Sequence, residues 1–120
     1  RYWRDWSSDV CSSDLDEICF LQYIENLDKL KKLQVLNLSN NIIEKLERLD
    51  KLTLLRELNL SNNLITKIEG LDNLSRLQVL NLSRNQIKHI PAGLFKKLKE
   101  LRVVALSHNH LEAVSRIINL

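Results

Sequence analysis

Apolar residues recur along this chain in a fixed order that is repeated four times. The repeating segments are LQVLNLSNNIIEKL from Leu33, LRELNLSNNLITKI from Leu55, LQVLNLSRNQIKHI from Leu77 and LRVVALSHNHLEAV from Leu101, so their spacings are 22, 22 and 24 residues. Self-similarity at a period of about 20 to 50 residues is typical of units that stack to bury one continuous core. We therefore predict that these repeats form a single stacked domain.

Each repeat opens with alternating apolar and polar residues. In the first repeat Leu36 and Leu38 flank Asn37, and such alternation buries one face of a β-strand. The equivalent apolar pairs are Leu58 and Leu60, Leu80 and Leu82, and Val104 and Leu106. Each unit is also long enough to supply the crossover of a dozen or more residues that parallel strands require. The pattern thus predicts one strand per repeat in a parallel sheet.

The first two connections between strands have an apolar period of three. Their apolar residues are Ile43, Leu46, Leu49, Leu52 and Leu55, then Ile65, Ile68, Leu71, Leu74 and Leu77. A period of three suits 3₁₀ turns better than an α-helix. The third connection contains Pro91-Ala92-Gly93, and Leu94, Leu98 and Leu101 are spaced by four and then three. This spacing predicts a short α-helix over Lys96 to Lys99 or slightly wider.

One asparagine follows the strand in every repeat. These asparagines are Asn41, Asn63, Asn85 and Asn109. Buried backbone groups need hydrogen-bond partners, and an asparagine side chain both donates and accepts. We interpret the four residues as an internal structural ladder rather than as a polar ligand site.

The pattern L-x-x-L-x-L-x-x-N-x-I/L resembles that of leucine-rich-repeat proteins. The resemblance implies an α/β solenoid with a concave parallel β-sheet and convex crossovers of 3₁₀ turns and short α-helix. The I-E-x-L-x-x-L crossovers resemble the 22-residue subclass typified by a regulator of protein phosphatase 1. The subclass resemblance covers residues 16–120, and the repeats are expected to be truncated at both ends.

Residues 1–15, RYWRDWSSDVCSSDL, share no periodicity with the repeats. They resemble an in-frame translation of a sequencing-library adapter, which predicts a non-native segment outside the fold. A partial repeat at 16–32 then leads into the repeats that begin at 33, 55, 77 and 101. In that partial repeat Cys19 occupies the ladder asparagine position and is expected to be buried.

The concave face is the usual binding surface of a solenoid. Residues predicted to line it for a protein partner are Val35, Asn37, Glu57, Asn59, Val79, Asn81, Arg84, Val103, Ala105 and His108. The aligned valines have two interpretations of equal weight. Exposed apolar residues in a row mark an interface, whereas β-branched residues also simply suit strands.

Charge is concentrated in the last third of the chain. Its basic residues are Arg84, Lys88, His89, Lys96, Lys97, Lys99, Arg102, His108, His110 and Arg116. Glu100 and Glu112 interrupt this set, and aromatic residues for base stacking are scarce, so a solvated face is favoured over a nucleic-acid site. No membrane interaction is expected.

Catalytic and metal-binding patterns are not found in the sequence. The His108-x-His110 pair has no cysteine or carboxylate cluster beside it, and the two glycines form no phosphate-binding loop. We therefore expect no enzyme activity, no metal and no cofactor. Without residues 1–15, Cys19 is the one remaining cysteine, which fits a reducing compartment.

Several segments resemble the N-terminal repeats of centrosomal coiled-coil scaffold proteins. They are YIENL (23–27), LDKL (49–52), LRELNLS (55–61), KIEG (67–70) and HIPAGLFKKLKELRV (89–103). This resemblance implies a protein-interaction module of a centrosomal or ciliary scaffold in the cytoplasm, with a coiled coil elsewhere. The alternatives are a regulatory subunit of a protein phosphatase, or adaptor repeats attached to an enzyme domain.

Overall fold

Short parallel strands form the sheet of the computed structural model, which describes residues 3–5 and 31–111. The strands are β1 (Trp3–Asp5), β2 (Val35–Asn37), β3 (Glu57–Asn59), β4 (Val79–Asn81) and β5 (Val103–Ala105), and a single-turn helix α1 (Leu94–Lys97) precedes β5. Neighbouring strands pair in chain order. Strands β2 to β5 confirm the prediction of one strand per repeat in a parallel solenoid sheet.

The register of the sheet follows the sequence repeat. Leu36 pairs with Leu58, Leu58 with Leu80, and Leu80 with Val104, so equivalent residues of successive repeats lie side by side. Backbone pairing continues beyond the strand ends, since the Leu38 N–H donates to the Asn59 carbonyl oxygen at 2.8 Å. Each position of the repeat therefore forms a row that runs along the solenoid axis.

Strand β1 departs from the repeat period. Trp3 pairs with Val35, which is 32 positions later, whereas Val35 pairs with Glu57 after 22. No pattern predicts a strand in residues 1–15. The edge of β2 exposes backbone N–H and C=O groups that extended chain of almost any sequence can satisfy, and this accounts for pairing without a repeat motif.

The core is one continuous stack of leucine and isoleucine side chains between the sheet and the crossovers. The period-three residues from Ile43 to Leu77 are all at most 5% exposed. In the crossovers the N–H groups of Leu52 and Leu55 donate to the carbonyl oxygens three residues earlier, at 3.1 Å each. The N–H groups of Leu74 and Leu77 form the same type of bond in the next crossover. These are the i→i+3 bonds of 3₁₀ geometry, formed as successive single turns.

Helix α1 begins and ends two residues earlier than predicted. It spans Leu94–Lys97, and the Leu98 N–H donates to the Leu94 carbonyl oxygen at 3.1 Å. Leu94 and Leu98 are both buried, so the one helical turn lies between the two leucines whose spacing of four predicts it. A bilayer-spanning helix is not found among the described residues.

Several predicted features lie outside the described residues. They are most of the partial repeat at 16–32, Cys19, Glu112, Arg116 and the end of the fourth crossover.

Candidate protein-binding face

The strand face is the side of the sheet formed by residues 35, 37 and 39 and their equivalents in later repeats. Pairing aligns Val35, Glu57, Val79 and Val103 in its first row. Val35 is 36% exposed and Val103 is 53% exposed, and Glu57 is also exposed. The strand face therefore presents an apolar row that one carboxylate interrupts.

The second row forms hydrogen bonds mainly within local turns, and its members are Asn37, Asn59, Asn81 and Ala105. The Oδ1 atoms of the three asparagines accept the N–H groups of Ser39, Ser61 and Ser83 at 3.0, 3.0 and 3.1 Å. The Ser39 and Ser83 hydroxyls also donate to these oxygens at 2.7 and 2.8 Å. Such side-chain turns satisfy the backbone where each strand ends. Ala105 has no amide to offer, and Ser107 beyond it is exposed.

The asparagines that follow these serines lie inside the solenoid. Asn41, Asn63 and Asn85 are 5%, 4% and 4% exposed. The Asn63 Nδ2 group donates to the carbonyl oxygens of Leu60 in its own repeat and Leu38 in the repeat before, both at 3.0 Å. Its Oδ1 accepts the Ile43 N–H at 3.0 Å. Asn85 and Asn109 make the same set of bonds one and two repeats later. The amide groups of these side chains are thus occupied by hydrogen bonds within and between repeats and are not free to hold a ligand.

The row between the serines and the ladder has a left-handed backbone. Asn40, Asn62, Arg84 and His108 have φ values of 59°, 56°, 57° and 58°. Asparagine tolerates this conformation, whereas arginine adopts it at a larger cost. The Asn62 Nδ2 group also donates to Asn40 Oδ1 at 2.8 Å. Arg84 and His108, both predicted partner-binding residues, are exposed here at the edge of the strand face.

A further surface, the exit flank, is formed by the residues that leave each strand at 40–44, 62–66, 84–88 and 108–111. Its apolar members Ile42 and Leu64 are 38% and 36% exposed. Sequence reasoning missed these two residues. A signal was present, because each lies between a ladder asparagine and a buried isoleucine, where alternation turns it outward.

Charge is distributed unequally along the solenoid axis. Residues 33–76 contain six basic and six acidic residues, for a formal charge of zero. Residues 77–111 contain six basic residues and one acidic residue, for a formal charge of +5. One of the basic residues is paired, since Lys97 Nζ lies 3.1 Å from Asp72 Oδ2 on the exposed crossover surface.

The described residues offer little to a metal ion or a small molecule. No three histidine, cysteine or carboxylate side chains among them lie close enough to hold a metal ion. An open depression of about 260 Å³ lies on the crossover side, lined by Ile68, Glu69, Gly70, Asp72, Pro91, Gly93, Leu94 and Lys97. Ligand pockets are usually enclosed and about 300–1,000 Å³ in volume. The strand face and the exit flank are therefore the candidate surfaces.

Comparison with known structures finds the same architecture. The internalin C2 (inlC2) of Listeria monocytogenes is similar with 34% sequence identity and a TM-score of 0.72, over 82% of this chain and 43% of that chain. The internalin inlF of the same organism is similar with 29% identity and a TM-score of 0.70, over 77% of this chain and 26% of that one. The chain thus spans less than half the length of either structure. None of the curated protein sequences compared with it matches significantly.

Family models match the repeats directly. A model described as "Leucine Rich repeats (2 copies)" matches residues 31–73, and one described as "Leucine rich repeat" matches residues 67–111. Solenoids of this kind generally present an extended surface that binds other proteins. Together with the sheet register, the asparagine ladder and the internalin likeness, these matches identify the chain as a leucine-rich-repeat protein.

Proposed function

We propose that the strand face is the docking surface for a partner protein. The observation that carries this proposal is the row of Val35, Glu57, Val79 and Val103 across four strands, in which Val35 and Val103 are exposed and Val79 is half-buried. Exposed residues aligned in this way lose contact with water when a partner covers them, and that burial favours association.

Polar groups beside this row would give the contact its specificity. The Nδ2 groups of Asn37, Asn59 and Asn81 make no hydrogen bond within the described residues and are available as donors. Ala105 leaves room for a bulkier partner side chain at the fourth strand, and Arg84 and His108 add cationic or donor groups at the edge. Glu57 favours a basic partner group above the second repeat.

The proposal is tested by charge insertion on the strand face. We expect the double variant Val79→Glu with Val103→Glu to lose most capture of partner proteins from cell extract, because two carboxylates would have to be desolvated at the interface. Val103 is exposed and Val79 is only half-buried on the open side of the sheet, so the thermal unfolding curve by circular dichroism should stay nearly unchanged.

The matched control places the same two charges on the crossovers. Thr53→Glu with Ser75→Glu alters an equivalent pair of exposed positions in successive repeats. It should capture the same partners as the natural chain. Full capture by a folded Val79→Glu and Val103→Glu variant would place the docking surface elsewhere.

The cellular setting we propose is a centrosomal or ciliary scaffold. It is supported by the likeness of residues 23–27, 49–52, 55–61, 67–70 and 89–103 to the N-terminal repeats of centriolin, a large centrosomal coiled-coil protein. A fluorescent fusion of the chain should accumulate at a marked centrosome, and Val79→Glu with Val103→Glu should disperse it. Diffuse signal from the natural sequence, with a phosphatase catalytic subunit among the captured proteins, would instead favour the phosphatase-regulator alternative.

A further inference from the structure

We propose that the exit flank binds a short acidic and apolar segment of the partner in one direction. Apolar side chains of that segment lie over the first two repeats, and its carboxylates lie over the third and fourth. The inference rests on the proposed function and extends the contact from the strand face around its edge.

The apolar end of the flank is formed by Ile42 and Leu64. Both are more than a third exposed and occupy the same position of successive repeats. The Leu64 N–H donates to the Ile43 carbonyl oxygen at 2.9 Å, so the two segments are held side by side by a backbone hydrogen bond. Strands and their continuations lie about 4.8 Å apart at such contacts, which brings the two side chains within one partner footprint.

The other end of the flank is polar and basic at the same positions. In the row of Ile42 and Leu64 the next members are Gln86 and His110. In the row of Asn40 and Asn62 they are Arg84 and His108. In the row of exposed Glu44 the next members are Thr66 and Lys88, and Glu112 follows them in the sequence. Two of the three rows therefore gain a positive charge at the third repeat, at Arg84 and Lys88, and this change agrees with the formal charges of zero for residues 33–76 and +5 for 77–111.

The gradient sets a direction for the bound segment. Glu44 and Glu57 would repel carboxylates placed over the first two repeats, whereas residues 73–99 contain no carboxylate. Four successive repeats about 4.8 Å apart span roughly 15 Å, which corresponds to about five residues of extended chain. The geometry thus fits apolar and acidic side chains separated by roughly three to five residues.

Nucleic acid matches this surface less well than an acidic protein segment does. A polyanion carries uniform negative charge, so over the first two repeats it would meet Glu44 and the apolar side chains of Ile42 and Leu64 without a favourable contact. Single-stranded nucleic acid also binds through stacking on aromatic side chains. Between residues 31 and 111 the one aromatic residue is Phe95, on helix α1 and away from the flank.

Selection of displayed peptides tests the inference without knowledge of the natural partner. Random dodecapeptides on phage are selected on the immobilised 120-residue chain, and the enriched peptides are synthesised, labelled and titrated by fluorescence anisotropy. We expect enrichment of apolar residues and carboxylates at the spacing given above. Peptides with the apolar and acidic halves exchanged should bind several-fold more weakly.

Two flank variants test the contact, and the first has a matched control. Arg84→Glu should weaken the selected peptides about tenfold, because attraction is replaced by repulsion. Arg48→Glu should change affinity less than about twofold, since Arg48 is also an exposed arginine, with a φ of 60°, but lies on the crossover side. Leu64→Gln should weaken binding several-fold. Glutamine is chosen because Gln86 already occupies the equivalent position of the next repeat.

Each other outcome overturns the inference. Peptides without acidic residues that lose affinity only in the Val79→Glu and Val103→Glu variant would refute it while leaving the strand-face function intact. Peptides that keep their affinity in both the flank and the strand-face variants would contradict both proposals. Lack of any enrichment, or tighter binding of a labelled single-stranded oligonucleotide than of the peptides, would also exclude an acidic and apolar ligand.

Discussion

The side-chain amide of Asn85 donates a hydrogen bond to the carbonyl oxygen of Leu60, one repeat earlier, at 2.9 Å. The same side chain accepts the Ile65 N–H at 3.1 Å. Replacement of Asn85 by alanine leaves that buried N–H without a partner, so we expect Asn85→Ala to lower the free energy of unfolding by about 1–3 kcal/mol. Urea titration followed by circular dichroism measures the change.

The control for this prediction is Asn81→Ala in the same repeat. The Asn81 side chain bonds only to Ser83 at the partly exposed strand end, and alanine stands at the equivalent position 105. Its loss should cost less than about 1 kcal/mol, because water can replace the bond. Equal losses for the two variants would contradict a ladder that stabilises the solenoid through buried bonds between repeats.

Relief of left-handed backbone strain should stabilise the chain. Arg84 has a φ of 57°, and Asn40 and Asn62 occupy the equivalent positions. We expect Arg84→Asn to raise the free energy of unfolding by about 0.5–1 kcal/mol, since asparagine adopts this conformation more readily than arginine. Arg84→Gln removes the same charge without that preference and should give little gain. A gain of the same size from glutamine would assign the effect to charge instead of backbone.

Position 70 requires glycine because of its backbone conformation and because of a neighbouring carbonyl group. Its φ is +71°, and a Cβ atom would lie 3.1 Å from the Leu46 carbonyl oxygen. Gly70→Ala should therefore destabilise the chain by about 1–2 kcal/mol. Gly93→Ala is the matched control, because nothing lies within 4 Å of its Cβ position, and the change should stay within about 0.5 kcal/mol. A neutral Gly70→Ala would show that the crossover shifts to accept the methyl group.

Burial predicts different costs for one substitution at equivalent positions. Leu82 is fully buried, whereas Leu106 beside the edge strand β5 is only half-buried. Leu82→Ala should cost about 2–5 kcal/mol because of lost contacts and a cavity, and Leu106→Ala should cost clearly less. Urea midpoints of the two variants provide the comparison. A larger loss at Leu106 would mean that the edge strand is packed more tightly than its exposure indicates.

The repeat core could be predicted from the sequence because period and register are redundant. Leucine alternation predicts which residues of β2 to β4 point inward, and the period-three residues between Ile43 and Leu77 are all buried. Four copies in phase also fix which residues are neighbours across strands, so the row of Val35, Glu57, Val79 and Val103 follows from the repeat spacing alone.

Features that depend on backbone geometry were harder to predict. Helix α1 lies two residues before its predicted position, because the buried leucines and not the lysines define its turn. The left-handed backbone at Arg84 is not indicated by that residue type, and the asparagines at the two earlier positions suggest it. The exposed pair Ile42 and Leu64 was missed because leucine and isoleucine elsewhere in the repeats are buried.

The bonds of each ladder asparagine reach only one repeat back. Asn85 bonds to Leu60 in the same way that Asn63 bonds to Leu38. Removal of residues 55–76 would therefore bring Leu38 to the place of Leu60 as the acceptor for Asn85, with no group left unsatisfied at the junction. The chain can thus gain or lose whole 22-residue modules by recombination. The length of the solenoid and the extent of its binding surface can then change while the packing of the core stays the same.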